Sequence, residues 1–273
     1  MGLAIALVVA LITVLSVYAF WSHIWWLPVN VSTHGAAIDH QFMLTLIICG
    51  VVFVLAQLGL GLFVWKYRDR GDRRKAVYSH GNNAMEVTWT AAAAIVFTAL
   101  NLMGYRVWAG MHFTGPAPGA LRIEVQGQQF AYYFRYPGPD GQFGLTHVDK
   151  VDDATGNFFG LDRQHDAAAK DDIVTATLAI PVNRPIELTL RSKDVNHSFY
   201  VRELRVQQDL LPGLEIPVHF TATEEALQHN GGKYDIVCTQ LCGLGHYKMH
   251  AIVRVVTQEE FDKWQAAREA DKQ

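Results

Sequence analysis

Three long apolar runs in the first 110 residues decide what this chain can fold into. Residues 2–20 hold no charged side chain. Residues 42–65 run from Phe-Met-Leu-Thr to Leu-Phe-Val-Trp, and residues 87–109 run from Val-Thr-Trp-Thr through an alanine cluster to Arg-Val-Trp. A lipid core about 30 Å thick offers the backbone no hydrogen-bond partner, so a run long enough to cross it must be helical. The third run is the weakest by hydropathy, and a buried soluble helix is the alternative reading of each. Trp21, Trp25, Trp26, Trp65, Trp89 and Trp108 stand near the run ends, where interfacial aromatic belts are expected.

The connecting loops give an orientation. Residues 66–80 hold Lys66, Arg68, Arg70, Arg73, Arg74 and Lys75 against Asp69 and Asp72, whereas the loop between the first two runs has no Lys or Arg. By the positive-inside rule the 66–80 loop is cytoplasmic, which puts everything after the third span outside. Residues 1–20 are read as a transmembrane helix or a signal sequence, since Val17-Tyr18-Ala19 is a passable cleavage site. The missing basic segment before the apolar run favours the retained helix. Residues 40–111 form a transmembrane hairpin.

Beyond residue 112 the pattern changes to short strands separated by turn signals. Leu121 to Val125 alternates, as does Gln129 to Tyr136 before the turn Pro137-Gly-Pro-Asp-Gly141. Further strand candidates are 173–180, 186–191, 198–202, 216–222, 233–238 and 250–256. So many short strands predict a Greek-key sandwich. Residues 142–170 read as a long excursion without evident chemistry. The outer domain spans 112–256, and 257–273 is a C-terminal helix or tail, with Thr257 as N-cap and Glu260 three residues on. The net charge of −3 and the lack of a phosphate loop give no sign of nucleic-acid binding.

The chemistry concentrates in Cys238-Thr-Gln-Leu-Cys-Gly-Leu-Gly-His-Tyr-Lys-Met249. Cys238 and Cys242 are the only cysteines after the apolar third, and Met249 is the only methionine there. Thiolate, imidazole and thioether are donors that copper prefers. A structural zinc site would call for a second cysteine pair, and a single-copper site would use one Cys. Two thiolates can instead bridge two copper ions, which requires a second histidine; His197 is the best candidate. The alternative is a disulfide between Cys238 and Cys242, closing a loop so short that it would stabilise little. Gly243 and Gly245 permit tight turns toward an ion.

This loop resembles the copper A signature of cytochrome c oxidase subunit II, Cys-x3-Cys-Gly-x-Gly-His-x2-Met. His197-Ser-Phe running on to Asp209-Leu-Leu-Pro212-Gly213 is similar, without a gap, to that family's His-Ser-Trp segment. With the hairpin, the resemblance covers residues 40 to 256. It implies a cupredoxin-type β-barrel behind membrane helices and a dinuclear centre of two copper ions. Cys238 and Cys242 would be bridging thiolates, His197 and His246 terminal imidazoles, Met249 a weak thioether ligand, and Gln240 the donor of a backbone carbonyl. Many relatives carry Glu at the Gln240 position, where it also helps to hold magnesium at the subunit I boundary. Gln240 keeps the carbonyl and loses the charge, so the magnesium site does not carry over.

Two further matches are looser. Phe130 occupies the place of the family tryptophan at which electrons arrive from cytochrome c; the plainer reading is a core aromatic. Glu86, in Glu-Val-Thr-Trp-Thr, resembles a residue at the mouth of a proton channel, or it simply complements a helix N-terminus. Asp209 is read either as lying near the electron exit or as a turn carboxylate. His219, His229 and His250 show no partner pattern, and Cys49 reads as a small apolar core residue.

The resemblance thus implies a terminal-oxidase subunit that takes electrons from cytochrome c and passes them to the haem of subunit I, where oxygen is reduced and protons are pumped. Subunits I and III and membrane lipid are the implied partners. The implied location is a bacterial inner membrane with the copper domain on the periplasmic side. The alternative is a membrane-anchored copper-binding or delivery protein. Nitrous oxide reductase shares such a loop, but its large propeller would not fit in 273 residues.

Overall fold

A computed structural model describes residues 2–24, 26–71, 75, 77, 78 and 80–270. Trp25, Asp72, Arg73 and Arg74, used above, lie outside the described residues, as does the end of the 257–273 tail. Two compact units emerge: one of residues 1–27 and 39–107, the other of residues 28–38 and 108–273.

The first unit is helical. α1 (Gly2–Trp21), α2 (Gly35–Lys66) and α3 (Asn83–His112) are each long and apolar enough to cross a membrane. Three of their hydroxyls are satisfied within the helix: Thr13 Oγ1 donates to the Val9 carbonyl at 2.8 Å, Thr45 to Gln41 at 2.9 Å and Thr88 to Ala84 at 2.7 Å. That self-sufficiency is what an apolar solvent demands. Asn82 starts α3, its Oδ1 accepting from the backbone of Ala84 and Met85. Cys49 is exposed on α2 and does not lie in a core.

The second unit is a sandwich of two five-stranded sheets, the cupredoxin-type architecture expected above. One sheet contains β1 (Leu121–Gln128), β2 (Ala131–Tyr136), β3 (Ile173–Thr175), β5 (Pro185–Ser192) and β8 (Ile216–Thr221), in the order β3-β2-β1-β5-β8. The other contains β4 (Thr177–Pro181), β6 (His197–Val201), β7 (Val206–Leu210), β9 (Lys233–Val237) and β10 (His250–Val256), in the order β4-β10-β9-β6-β7. β1 with β5 and β10 with β4 are parallel pairs, so the chain crosses between sheets as it builds them. Alternate strand residues such as Ile186, Leu188 and Leu190 point inward and are fully buried.

Two strand expectations need correction. The single strand expected at 173–180 is two, because the chain bends at Ala176 and changes sheets: β3 pairs with β2, and β4 with β10. β7 was not anticipated. It pairs with β6 in antiparallel register, which places Asp209 opposite Ser198 within a strand and not in a turn.

Short helices complete the unit: α4 (Ala167–Asp171), α5 (Glu225–Gln228) and the C-terminal α6 (Gln258–Ala270). α6 opens with the reciprocal cap read from sequence: Glu260 Oε2 accepts from the Thr257 backbone at 3.0 Å, and Thr257 Oγ1 accepts from the Glu260 backbone at 3.2 Å. The 142–170 excursion is tied down by Arg135, which is fully buried. Its guanidinium meets Glu124 at 2.9 Å, Asp172 at 3.0 Å and the Gly144 carbonyl.

Candidate metal centre

Three ends of strands in one sheet bring the sequence-predicted donors together. β9 stops at Val237, so Cys238 is the first residue free of that strand. β10 begins at His250, directly after Met249, and His197 opens β6. The intervening loop is held by its own backbone: His246 N donates to the Gly243 carbonyl at 3.1 Å, Lys248 N to Gly245 at 2.9 Å and Cys238 N to Met249 at 3.3 Å. Turning so tightly places Gly243 at φ +127°, a region that side-chain-bearing residues rarely adopt.

The donor atoms converge. Cys238 Sγ and Cys242 Sγ are 3.8 Å apart and unbonded, so the disulfide alternative is not what the structure contains. Cys242 Sγ is 3.6 Å from His246 Nδ1 and 3.8 Å from Met249 Sδ, and Cys238 Sγ is 3.1 Å from the Gln240 carbonyl oxygen. A ligating nitrogen of His197 lies within 4.8 Å of both sulfurs. Among the described residues this is the one cluster of three or more His, Cys or acidic side chains so closely gathered.

Its electrostatics suit a cation. Burial, reinforced by the neighbouring Cys238, pushes the Cys242 thiol up to about 11. An ion that coordinates here must therefore displace protons as it binds. His197 is fully buried; its Nε2 is 2.7 Å from Asp194 Oδ1, while its Nδ1 is buried with no partner among the described residues. A carboxylate behind an imidazole whose other nitrogen is left unpaired is the usual support of a metal-bound histidine. The residues present fit a copper-type donor set.

Three supporting residues escaped the sequence reading. Burial raises the carboxyl of Asp194, but hydrogen bonds from Gln129 N and His197 outweigh it and hold the group below its ordinary value. Gln129 also donates its side-chain amide to the Cys242 carbonyl at 2.6 Å, strapping the loop to the start of β2. Tyr132 is buried beside Cys238 and donates to the Ser198 carbonyl. Asp194 had one available signal, its position three residues before His197; the other two depend on the fold.

Phe130 lies on the loop. A Cβ at Gly245 would fall 2.4–2.7 Å from its ring atoms, so the glycine is required by close approach. Phe130 is 37% exposed, while Leu241 and Leu244 of the donor loop are largely in solvent. Glu86 is not part of this cluster: it sits exposed in the first turn of α3, in the helical unit. His229 and His250 are surface residues paired with Glu225 and Asp235, at 2.8 and 2.9 Å.

Residues 122–256 match the family model described as cytochrome C oxidase subunit II, periplasmic domain. The chain is 32% identical to "Alternative cytochrome c oxidase subunit 2" of Bradyrhizobium diazoefficiens, covering 96% of this chain and 91% of the relative. It is 28% identical to "Cytochrome c oxidase subunit 2" of Thermostichus vulcanus, covering 94% and 83%. Among solved structures, the periplasmic domain of subunit II of the Bradyrhizobium japonicum cytochrome oxidase shares 24% identity at a TM-score of 0.41, over 57% of this chain and 99% of that one.

Proposed function

The chain belongs to the cytochrome c oxidase subunit II family, and from that premise we propose that it relays electrons through a dinuclear copper centre on the Cys238–Met249 loop. It is an electron-transfer subunit of a terminal oxidase, anchored by apolar helices with an outward-facing β-domain. In this reading Cys238 and Cys242 would hold the copper through their thiolates, His197 and His246 through imidazole nitrogens, Met249 through its thioether and Gln240 through its backbone carbonyl. When bound, two copper ions supply a one-electron couple between a cytochrome c donor and the haem of subunit I, where oxygen is reduced to water and protons are pumped.

The observation that carries the reading is the meeting of six donors from two separate chain segments, with His197 Nδ1 buried and without a partner among the described residues. The protein's own part is positional. Asp194 holds the His197 proton on Nε2, and Gln129 fixes the Cys242 backbone. Phe130 is the candidate point of electron arrival. Glu86 is the candidate mouth of a proton path, and Asp209 lies near the candidate exit toward subunit I. Gln240 brings no charge, so magnesium is not assigned to it. The partners are subunits I and III, cytochrome c and lipid, in a bacterial inner membrane.

The test is electron paramagnetic resonance of the copper-loaded full chain in detergent. A mixed-valence spectrum from two equivalent coppers supports the reading. A single-copper spectrum, or failure to take up copper, defeats it, and copper that a chelator strips readily favours the delivery alternative.

A further inference from the structure

A second group of nitrogen and sulfur donors lies in the β-domain unit, on residues that the relay does not use. It borders a cavity of about 140 Å³ whose walls include His34, Met111, His219, Thr33 and Thr221. His34 Nε2 is buried with no hydrogen-bond partner among the described residues. The ring's other nitrogen faces the backbone carbonyls of Arg205 and Leu204. Carbonyls on that side favour the proton on the nitrogen facing them, and the buried Nε2 has no partner to commit its lone pair, as in histidines that ligate metals. An orphaned buried nitrogen of this kind costs free energy unless something occupies it.

His219 projects from β8 into the same cavity, its Nε2 only 3.5 Å from Thr114 Oγ1. Burial pushes both histidines below their ordinary value; His219 lowers His34 further, and His112 lowers His219. Glu187, opposite His219 in the β5–β8 register, acts the other way. Both shifts favour the neutral imidazole, the form that can donate a lone pair.

We propose that His34, His219 and Met111 form a second metal site, selective for copper(I). The donors are two neutral imidazoles and a thioether. No carboxylate or thiolate is among the described lining residues, which disfavours zinc and the hard cations. Soft thioether sulfur combined with imidazole selects cuprous ion. The site is independent of the paired-copper reading, because it shares no residue with the Cys238–Met249 loop.

The experiment removes the paired centre and counts what remains. The full chain carrying C238S and C242S, in detergent, is equilibrated with copper(I) buffered by a chelator, and separately with zinc(II). The expected result is one copper per chain, with X-ray absorption showing nitrogen neighbours and one sulfur. Adding His34→Gln and His219→Gln should abolish that copper while leaving the circular dichroism unchanged. Met111→Leu, the milder change, should keep the fold, remove the sulfur signal and weaken binding roughly tenfold or more. Equal copper content with and without the two histidines overturns the proposal. So does retention of zinc(II) in preference to copper(I), or an unchanged sulfur signal in Met111→Leu. Because the cysteines are already absent, none of these failures bears on the paired centre.

Discussion

Asp194 offers the sharpest test of how the protein prepares its metal centre. The carboxylate accepts from His197 Nε2 at 2.7 Å through one oxygen and from Gln129 N at 2.8 Å through the other. Asp194→Ala leaves the buried Nε2–H of His197 without an acceptor, which should destabilise the metal-free domain by about 1–3 kcal/mol. It also frees the ring to turn, so His197 no longer presents a fixed nitrogen to the thiols. Loss of such a support typically costs about 10–100-fold in metal affinity, or about 1.4–2.8 kcal/mol. Asp194→Asn should fall between, since its amide oxygen can still accept from His197 while its NH2 opposes the Gln129 N–H. The assay is a copper competition titration of the full chain in detergent, run beside a thermal melt without metal. Wild-type copper affinity in a folded Asp194→Ala protein would refute the reasoning. A melt shift with no change in affinity would reduce Asp194 to a structural role.

The remaining expectations are direct. Met249→Leu should keep two coppers and shift the reduction potential, whereas Cys242→Ser should abolish the paired resonance signal; loss of all copper in Met249→Leu would contradict a weak-ligand role. Gly245→Ala drives a Cβ into the Phe130 ring, so it should impair copper loading, and the second change Phe130→Ala should restore it, read by copper content. Arg135→Met leaves the buried Asp172 carboxylate without its cation and takes from Glu124 one of its two arginines, the other being Arg191 at 2.8 Å, and should cost about 3–5 kcal/mol, read by chemical denaturation. Adding Glu124→Gln and Asp172→Asn should recover much of that loss. Thr257→Ala removes one half of the α6 cap and should cost about 1 kcal/mol.

How much of this was legible beforehand depended on whether each signal was local. The apolar runs, the Thr257–Glu260 cap and the donor loop each sit within one stretch of sequence, and the structure contains all three. β7 was missed because Val206-Gln-Gln-Asp-Leu has a polar centre and owes its strand conformation to pairing with β6. The break at Ala176 was invisible because both halves are apolar and β-prone, and only the two-sheet arrangement distinguishes their partners. The Arg135 cluster gathers side chains from positions 124, 135 and 172, and no spacing rule connects them. Cys49 was misjudged because an apolar residue on a membrane-type helix has no need of a protein core. His34 and His219 lie far apart in sequence, so the cavity they share carried no motif.

The donor loop shows why a metal centre can hide inside an ordinary hydrophobic pattern. Cys238, Cys242 and Met249 all belong to the main buried core cluster, alongside Leu210 and Ile236. Between them Leu241 and Leu244 face outward, Leu244 almost wholly exposed. The loop thus inverts the usual arrangement: its leucines go to solvent and its sulfurs go to the core. Packing that would normally bury leucine instead fixes three sulfur atoms against a rigid sandwich, and close-packed interiors resist displacement. A centre that changes charge by one electron benefits from such resistance, because donors that cannot move contribute little reorganisation. Leu241, Leu244 and half-exposed Phe130 thus leave apolar side chains in solvent on or against the donor loop, while its sulfurs stay buried.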